Sequence, residues 1–154
     1  MVKIGNVLSL FDGMSGGQLA LRSAGIEYDA YYSSEIKPHA IAVTQHNFPE
    51  TIQVGDVTEL TKSDLPKIDL LIGGSPCQDL TILGQSREGL EGKKSILFFE
   101  YVRLLKELKP KYFLLENVAS MRNADRDLIS KILGVEPILI NSNLVSAQHR
   151  RRTT

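Results

Sequence analysis

The chain has 154 residues, of which 42% are hydrophobic and 23% are charged, a balance typical of one globular domain with a proper core. Lysine plus arginine and aspartate plus glutamate both number 18, so net charge gives no argument for a nucleic-acid partner. A single cysteine excludes an internal disulfide and a cysteine-rich zinc site, and with no signal-peptide pattern or bilayer-length apolar run we expect a cytoplasmic protein.

Strands and helices are predicted to alternate along the chain. A strand over residues 7–10 runs into a glycine-rich turn and then a helix that opens at Gln18 and that Gly25 ends. The later predicted elements are strands over 28–34, 51–54, 68–72, 112–115 and 137–140, helices over 38–47, 95–109 and 125–133, and a mobile loop over 84–94. This alternation predicts one α/β domain over residues 1–154, with a mostly parallel open sheet covered on both faces.

The only cysteine lies on a tight turn behind a predicted buried strand, in Gly73-Gly74-Ser75-Pro76-Cys77-Gln78. Ligands of open α/β sheets bind at the carboxyl ends of the strands, and Pro76 fixes a backbone dihedral beside the sulfur. A lone cysteine is more often a small buried hydrophobe than a nucleophile. The residues around the other strand ends favour the nucleophile.

Two acidic residues at consecutive strand ends indicate an adenosine site. Glu35 ends the second predicted strand about 20 residues after Gly13, where a carboxylate can accept hydrogen bonds from ribose hydroxyls. Asp56 ends the third strand and could accept from an adenine amino group. The glycine-rich turn over residues 11–17 lacks the lysine of a P-loop. Each acid alone is more often a solvated loop residue or a helix cap, but together they favour adenosine without a polyphosphate.

Glu116 follows four aromatic or apolar residues at the end of the fifth predicted strand. Such a carboxylate is costly to bury unless it is paired or protonated, and a protonated carboxyl beside a thiol is a general acid beside a nucleophile. The alternative is a glutamate that caps the next turn. In the basic tail, Gln148, Arg150 and Arg152 alternate like one face of a strand; such tails are usually solvated, and nucleic-acid contact is the less common role.

Taken together, the motifs resemble the catalytic core of the DNA cytosine-5 methyltransferases, with the closest similarity to the de novo branch. The fold that this implies is the Rossmann-like fold of S-adenosylmethionine-dependent methyltransferases. The matching pieces, in the family's order, are Phe11-Asp12-Gly13 with Gly16-Gly17, Glu35, Gly55-Asp56-Val57, Gly74-Ser75-Pro76-Cys77, Glu116-Asn117-Val118 and Gln148-x-Arg150-x-Arg152.

The resemblance implies S-adenosyl-L-methionine as methyl donor and a flipped cytosine in DNA as acceptor. It implies that the Cys77 thiolate adds to C6 of the base, that Glu116 protonates N3, and that Arg150 and Arg152 stabilise the thiolate. The implied cofactor residues are Phe11, Asp12, Gly13, Gly16, Glu35, Ile36, Asp56, Val57 and Pro76, with Phe11 stacking on the adenine. The implied DNA contacts are Ser75, Gln78, Gln148, Arg150 and Arg152.

Members of the family continue past the arginine motif into a target-recognition region and a final cofactor segment, whereas this sequence stops at Thr154. We expect a fragment, half of a split enzyme whose second chain supplies the remainder, or a decayed copy, with weak or no activity alone. Two alternatives stay open, a non-catalytic accessory subunit and a transfer-RNA cytosine methyltransferase of the same fold. The compact chain favours a bacterial or phage origin, which is the setting of restriction-modification.

Overall fold

The computed structural model describes residues 2–74, 95–119, 121, 123–144 and 151–154. In this part of the chain the strands are β1 Val2–Ile4, β2 Asn6–Leu10, β3 Ile26–Tyr28, β4 Tyr31–Ser34, β5 Ile52–Gln53, β6 Ile68–Gly74, β7 Tyr112–Val118, β8 Leu139–Asn141 and β9 Arg151–Thr153. The helices are α1 Gly16–Ser23, α2 Pro38–Asn47, α3 Ser95–Leu108 and α4 Asn123–Leu133, with short 3-10 turns at Lys62–Asp64 and Ser142–Leu144.

Among the described residues, seven strands form one open sheet in the order β5-β4-β2-β6-β7-β9-β8. The pairs from β5 across to β7 are all parallel, and β9 runs antiparallel to both β7 and β8. The predicted Rossmann-like, mostly parallel open sheet is therefore confirmed. Because the parallel strands point the same way, their carboxyl ends lie along one edge, called here the carboxyl edge.

The core lies on both faces of this sheet, because β2 sends alternate side chains to opposite sides. Val7 packs with Leu21 of α1 and with Tyr31, whereas Leu8 and Leu10 belong to a larger cluster on the opposite face. That larger cluster also contains Val57, Leu60, Ile68, Leu71, Phe98, Tyr101, Val102, Leu104 and Leu115. A strand buried on both faces is what the continuous apolar run of β2 predicts.

Helix α3 packs closely against the end of β6 because residue 73 is a glycine. A Cβ atom added at Gly73 would lie 2.7 Å from the ring of Tyr101. Any larger residue would therefore push the ring, and with it the helix, away from the strand.

The structure differs from the sequence-based prediction in several places. The single strand predicted over residues 28–34 is two strands, because β3 pairs with β1 in a separate small sheet before the chain turns into β4. Strand β7 continues to Val118, so Glu116 lies within a strand rather than after one. Helices α1 and α4 each begin two residues earlier than predicted. The loop predicted over 84–94 lies outside the described residues.

None of the helices in the described ranges is both long enough and apolar enough to cross a membrane.

Candidate active site

The carboxyl edge places three of the predicted cofactor and catalytic residues, Phe11, Glu35 and Glu116, in one row. The registers align Leu10 with Ser34 on one side and with Gly73 on the other, so Glu35 and Phe11 both follow directly after the last paired residues. One position further along β6 and β7, Gly74 pairs with Glu116. Glu35 and Glu116 are thus three strand spacings apart, about 14 Å along the edge.

Glu35 is held in place by backbone N–H groups. Its Oε2 accepts a hydrogen bond from the Gly13 N–H at 2.8 Å, and its Oε1 accepts from Ile36 at 2.9 Å and from Lys37 at 3.0 Å. Partial burial favours a higher pKa for Glu35, but the backbone donors of Lys37, Gly13 and Ile36 outweigh it and lower the pKa below its usual value. Glu35 therefore presents an ionised carboxylate at the end of β4.

The loop after β2 adopts an uncommon backbone conformation. Phe11, Gly13 and Ser15 have φ values of 56°, 60° and 59°. The left-handed region is open to glycine but unusual for a bulky residue, and such conformations cluster at ligand sites. Phe11 is half-buried and packs against the edge of the larger core cluster.

Asp12 stabilises this loop through hydrogen bonds from three neighbouring hydroxyl groups. Its carboxylate accepts hydrogen bonds from the Tyr31 hydroxyl at 2.8 Å, the Ser33 hydroxyl at 3.0 Å and the Ser15 hydroxyl. All three donors belong to buried residues, and burial raises the pKa of Tyr31 well above its usual value, so the phenol stays protonated as a donor. The sequence assigned Asp12 to the cofactor, whereas in the structure both its carboxylate oxygens bind the protein itself.

The network extends from Ser15 to Gln18, which is buried in α1. The Gln18 amide donates to the hydroxyls of Ser15 at 3.0 Å and Thr51 at 2.7 Å, and its oxygen accepts from the Tyr28 hydroxyl at 2.8 Å. A buried amide with its donors and acceptor satisfied fixes its neighbours in position. Sequence reasoning missed this residue because a glutamine in a short helix usually faces solvent.

Asp56 lies in a turn that follows β5. Its carboxylate accepts from the backbone N–H and the hydroxyl of Thr58, both at 2.9 Å. Gly55 supplies the required positive φ of 78°, and its carbonyl accepts from the Ser34 hydroxyl at 2.8 Å. The turn is therefore tied to the end of β4, next to Glu35.

Arg103 of α3 connects the helix to the same turn and was not singled out from the sequence. Its guanidinium donates to the carbonyls of Val57 at 3.1 Å and Leu60 at 2.9 Å. The same group is paired with Glu100 at 2.6 Å and Glu107 at 3.2 Å. An arginine spaced between two acids on one helix face could have indicated a structural role, but its distant carbonyl partners depend on the fold.

At the other end of the row, Glu116 pairs with Arg152 of β9. Arg152 Nε and Glu116 Oε1 lie 2.5 Å apart, with 29% and 41% of the respective side chains exposed. The Glu116 carboxylate leans over Gly74, since a Cβ added there would lie 3.3 Å from Oε2. The carboxylate is thus paired and half-exposed, at the point where the chain enters the Ser75-Pro76-Cys77 motif.

Several predicted site residues lie outside the described ranges. They are Ser75, Pro76, Cys77, Gln78, Gln148 and Arg150.

The described residues fit an adenosine group. Glu35 offers an ionised acceptor, and Asp56 a second carboxylate, at adjoining strand ends. Ile36 is 65% exposed next to Glu35, so its apolar side chain is open to contact with a flat base. A Cβ would meet nothing within 4 Å at Gly13 or at Gly16, so the loop leaves open space for a ligand.

Comparisons with known proteins agree with this geometry. Residues 5–135 match the family described as C-5 cytosine-specific DNA methylase. The chain is 43% identical over 122 residues to the orphan methyltransferase M.Rho11sI of Bacillus phage rho11s, which covers 78% of this chain and 24% of the phage protein. It is 39% identical over 123 residues to the type II methyltransferase M.NgoBV of Neisseria gonorrhoeae, covering 77% of this chain and 29% of that protein.

A third relative is the type II methyltransferase M.HgiCI of Herpetosiphon aurantiacus, 37% identical over 158 residues that cover 94% of this chain and 37% of the relative. The crystal structure of the S. pombe Dnmt2 methyltransferase superposes with a TM-score of 0.77 at 24% identity, covering 96% of this chain and 49% of that one, and so supports the fold. This chain spans about a quarter to just over a third of the length of the three sequence relatives. With the match over residues 5–135, the chain belongs to the family of C-5 cytosine-specific DNA methylases.

Proposed function

We propose that residues 1–154 form the catalytic and cofactor-binding domain of a DNA cytosine-5 methyltransferase that uses S-adenosyl-L-methionine. The observation that carries the proposal is the row along the carboxyl edge, with the Glu35 and Gly13 pair at one end and the Glu116 and Arg152 pair at the other. The methyl donor at one end of this row and the target cytosine at the other would lie side by side, between a ribose site and a catalytic carboxylate that are about 14 Å apart.

The cofactor end would hold the adenosine part of the methyl donor. The Glu35 carboxylate would accept hydrogen bonds from the two ribose hydroxyls, and the Phe11 ring would stack on the base. Asp56 and the backbone of Val57, positioned by Arg103, would contact the adenine edge. S-adenosyl-L-methionine supplies an electrophilic methyl group when bound.

The catalytic end would activate the cytosine. The Cys77 thiolate would form a bond to C6 of a base flipped out of the duplex, while Glu116 donates a proton to N3. Addition at C6 would leave an enamine whose C5 takes the methyl group, as the methyl–sulfur bond of the donor sulfonium breaks and a neutral thioether is left. Loss of the C5 proton to a base and return of the N3 proton to Glu116 would then let the C6–sulfur bond break and the thiolate leave. Arg152 orients Glu116 through the ion pair, and Arg150 is assigned to stabilise the thiolate.

The proposed setting is the cytoplasm, where reduced thiols persist and DNA is accessible in bacteria. The names of the relatives, orphan and type II methyltransferases, support a role in the modification half of a restriction-modification system. DNA contacts are assigned to Ser75, Gln78, Gln148, Arg150 and Arg152. A second chain would supply the target-recognition region.

The test combines cofactor binding with covalent trapping. Calorimetric titration with S-adenosyl-L-methionine should show binding that Glu35→Ala weakens by about 10-fold or more, equivalent to ~1.4 kcal/mol, while the exposed Glu50→Ala leaves it unchanged. With S-adenosyl-L-methionine present, long incubation with DNA containing 5-fluorocytosine should slowly accumulate a covalent adduct on the wild-type chain, whose activity alone is weak, and none on Cys77→Ser. Full binding by Glu35→Ala would refute the cofactor site, and an adduct on Cys77→Ser would refute the nucleophile.

A further inference from the structure

The side chain of Gln18 joins three separate parts of the fold. Its amide group donates to Ser15 in the loop after β2 and to Thr51 just before β5, and its oxygen accepts from Tyr28 of β3. Only 3% of the residue is exposed, so Gln18 is too deeply buried to touch a ligand. Any part that it plays in binding must act through these neighbours.

The direction of the hydrogen bonds is dictated by Asp12. The Ser15 hydroxyl has a single hydrogen, and its partner Asp12 Oδ2 is a carboxylate oxygen, which can only accept. Ser15 therefore donates to Asp12 and can only accept from Gln18. The group of Gln18 that faces Ser15 must then be the NH2, which leaves the amide oxygen to face Tyr28.

Tyr28 supports the same direction from the other end. Its hydroxyl donates to Gln18 Oε1 at 2.8 Å. Burial raises the pKa of Tyr28 above its usual value, and the charge of Arg22 offsets this only in part, so the phenol stays protonated as a donor. The bonds thus run one way, from Tyr28 through Gln18 and Ser15 to Asp12, and bonds aligned in this way strengthen one another.

Ser15 itself is held in an unfavourable conformation. It is the N-cap residue of α1, with φ 59° and ψ 43°, and its side chain makes no capping hydrogen bond. Serine is common at this position because its hydroxyl usually accepts from a helix N–H, but here Asp12 and Gln18 engage the hydroxyl instead. A left-handed residue other than glycine persists only where its surroundings hold it. Gln18 is one of the two side chains that hold Ser15.

The loop that Ser15 closes carries the candidate cofactor groups. Two residues before Ser15, the Gly13 N–H donates to Glu35 at 2.8 Å. Phe11 and Gly13 also have positive φ values, of 56° and 60°. A shift of Ser15 would therefore move the Gly13 N–H away from Glu35 and change the direction of the Phe11 ring.

On the basis of the function proposed above, we propose that Gln18 is a positioning residue for the S-adenosyl-L-methionine site. By donating to Ser15 it fixes the direction of the network, and so holds residues 11–15 in the conformation that presents Phe11 and the Gly13 and Glu35 pair. Its role requires an amide, because a side chain of the same shape without the N–H donors would oppose Asp12.

The first test replaces those donors. Gln18→Glu keeps the size of the side chain, but Ser15 cannot donate its one hydrogen both to the new carboxylate and to Asp12. We expect the Kd for S-adenosyl-L-methionine, measured by calorimetry, to rise about 10-fold. Gln45→Glu makes the same change at a half-buried position on α2 and should leave the Kd within about twofold of wild type.

The second test reverses the direction of the network. With Asp12→Asn added to Gln18→Glu, the new amide can donate to Ser15, and Ser15 to the new carboxylate, while the net charge equals that of wild type. The double variant should bind within about threefold of wild type, although Asp12→Asn alone should weaken binding about 10-fold. Recovery is incomplete because Ser33, which donates to Asp12 at 3.0 Å, would have to accept instead.

A third measurement needs no ligand. In the 15N-labelled full chain, hydrogen exchange at the Gly13 amide should be about 10-fold faster in Gln18→Glu and should recover in the double variant, with no change at Leu104 in the core. Losses that simply add in the double variant, or unchanged exchange at Gly13 in Gln18→Glu, would overturn the role of Gln18. If wild type bound no S-adenosyl-L-methionine, the proposed function would fail, and the exchange pattern alone would decide whether Gln18 holds the loop.

Discussion

The two ends of the carboxyl edge share one row of residues but are stabilised in different ways. At the cofactor end, Asp12 and Glu35 each accept three hydrogen bonds from neighbouring groups. At the catalytic end, Glu116 is positioned by an ion pair with Arg152, and both side chains are partly exposed. The first arrangement is fixed by the fold, whereas the second can be broken at little cost.

This difference matches what each end has to do in the proposed reaction. A cofactor site that is formed before the ligand arrives avoids an ordering cost on binding. A catalytic carboxylate that contacts the incoming cytosine has to leave its protein partner, here Arg152, and bind the substrate instead. Stability should therefore be sensitive to the cofactor end and nearly insensitive to the catalytic pair.

The largest effect should come from Asp12→Ala. The substitution leaves the buried hydroxyls of Tyr31, Ser33 and Ser15 without their acceptor. Since each unsatisfied buried donor costs about 1–3 kcal/mol, we expect a loss of ~3 kcal/mol in the free energy of unfolding after partial rearrangement. Urea denaturation followed by circular dichroism measures it.

Two variants control for this prediction. Asp12→Asn keeps one acceptor oxygen and should fall between wild type and Asp12→Ala. Asp127→Ala, on the exposed side of α4, should change stability by less than about 0.5 kcal/mol. If Asp12→Ala lost no more than Asp127→Ala, the cofactor end would not be held by this network.

The sequence predicted most of the fold because alternation of apolar strands with capped helices is a local signal. Glu35 and Asp56 could be assigned because each follows a strand, and parallel strands bring their ends to one edge. The assignment of Asp12 to the cofactor stays a prediction, and its hydrogen-bond partners were not foreseen because a motif shows a residue type but not its partners. Its three donors come from the same loop and from β4, and their geometry appears only after β2 and β4 pair.

Other features depend on contacts between distant residues and left little sequence signal. Arg103 reaches the carbonyls of Val57 and Leu60 more than 40 positions away. The left-handed conformation of Phe11 is not a preference of phenylalanine. The division of residues 28–34 into two strands follows from pairing with β1, which is too short to show a clear pattern.

An intermediate effect should appear in the pH dependence of stability. The backbone donors around Glu35 lower its pKa below the ordinary value of 4.5. The folded state then holds fewer protons on this group than the unfolded state at acidic pH, so its contribution to stability is present above pH 4.5 and is lost as pH falls through the lowered pKa. The melting temperature of wild type should drop more steeply below pH 4.5 than that of Glu35→Gln.

The exposed Glu50→Gln serves as the matched control and should keep the wild-type pH profile. Identical profiles for wild type and Glu35→Gln would mean that the three N–H groups do not stabilise the charged carboxylate in solution. That result would remove the preformed acceptor on which the comparison of the two ends depends.

The smallest effect should be at the catalytic pair, measured by a double-mutant cycle of Glu116→Gln and Arg152→Gln. Because both side chains are partly exposed, solvent screens their attraction, and we expect a coupling free energy of about 0.5 kcal/mol, as for other exposed pairs. Urea denaturation of the four proteins gives this value. A coupling of ~2 kcal/mol or more would mean that the pair stabilises the fold. Glu116 would then lose much of that stabilisation on leaving Arg152 to contact the cytosine. A small coupling leaves the carboxylate free to change partners, as its proposed role requires.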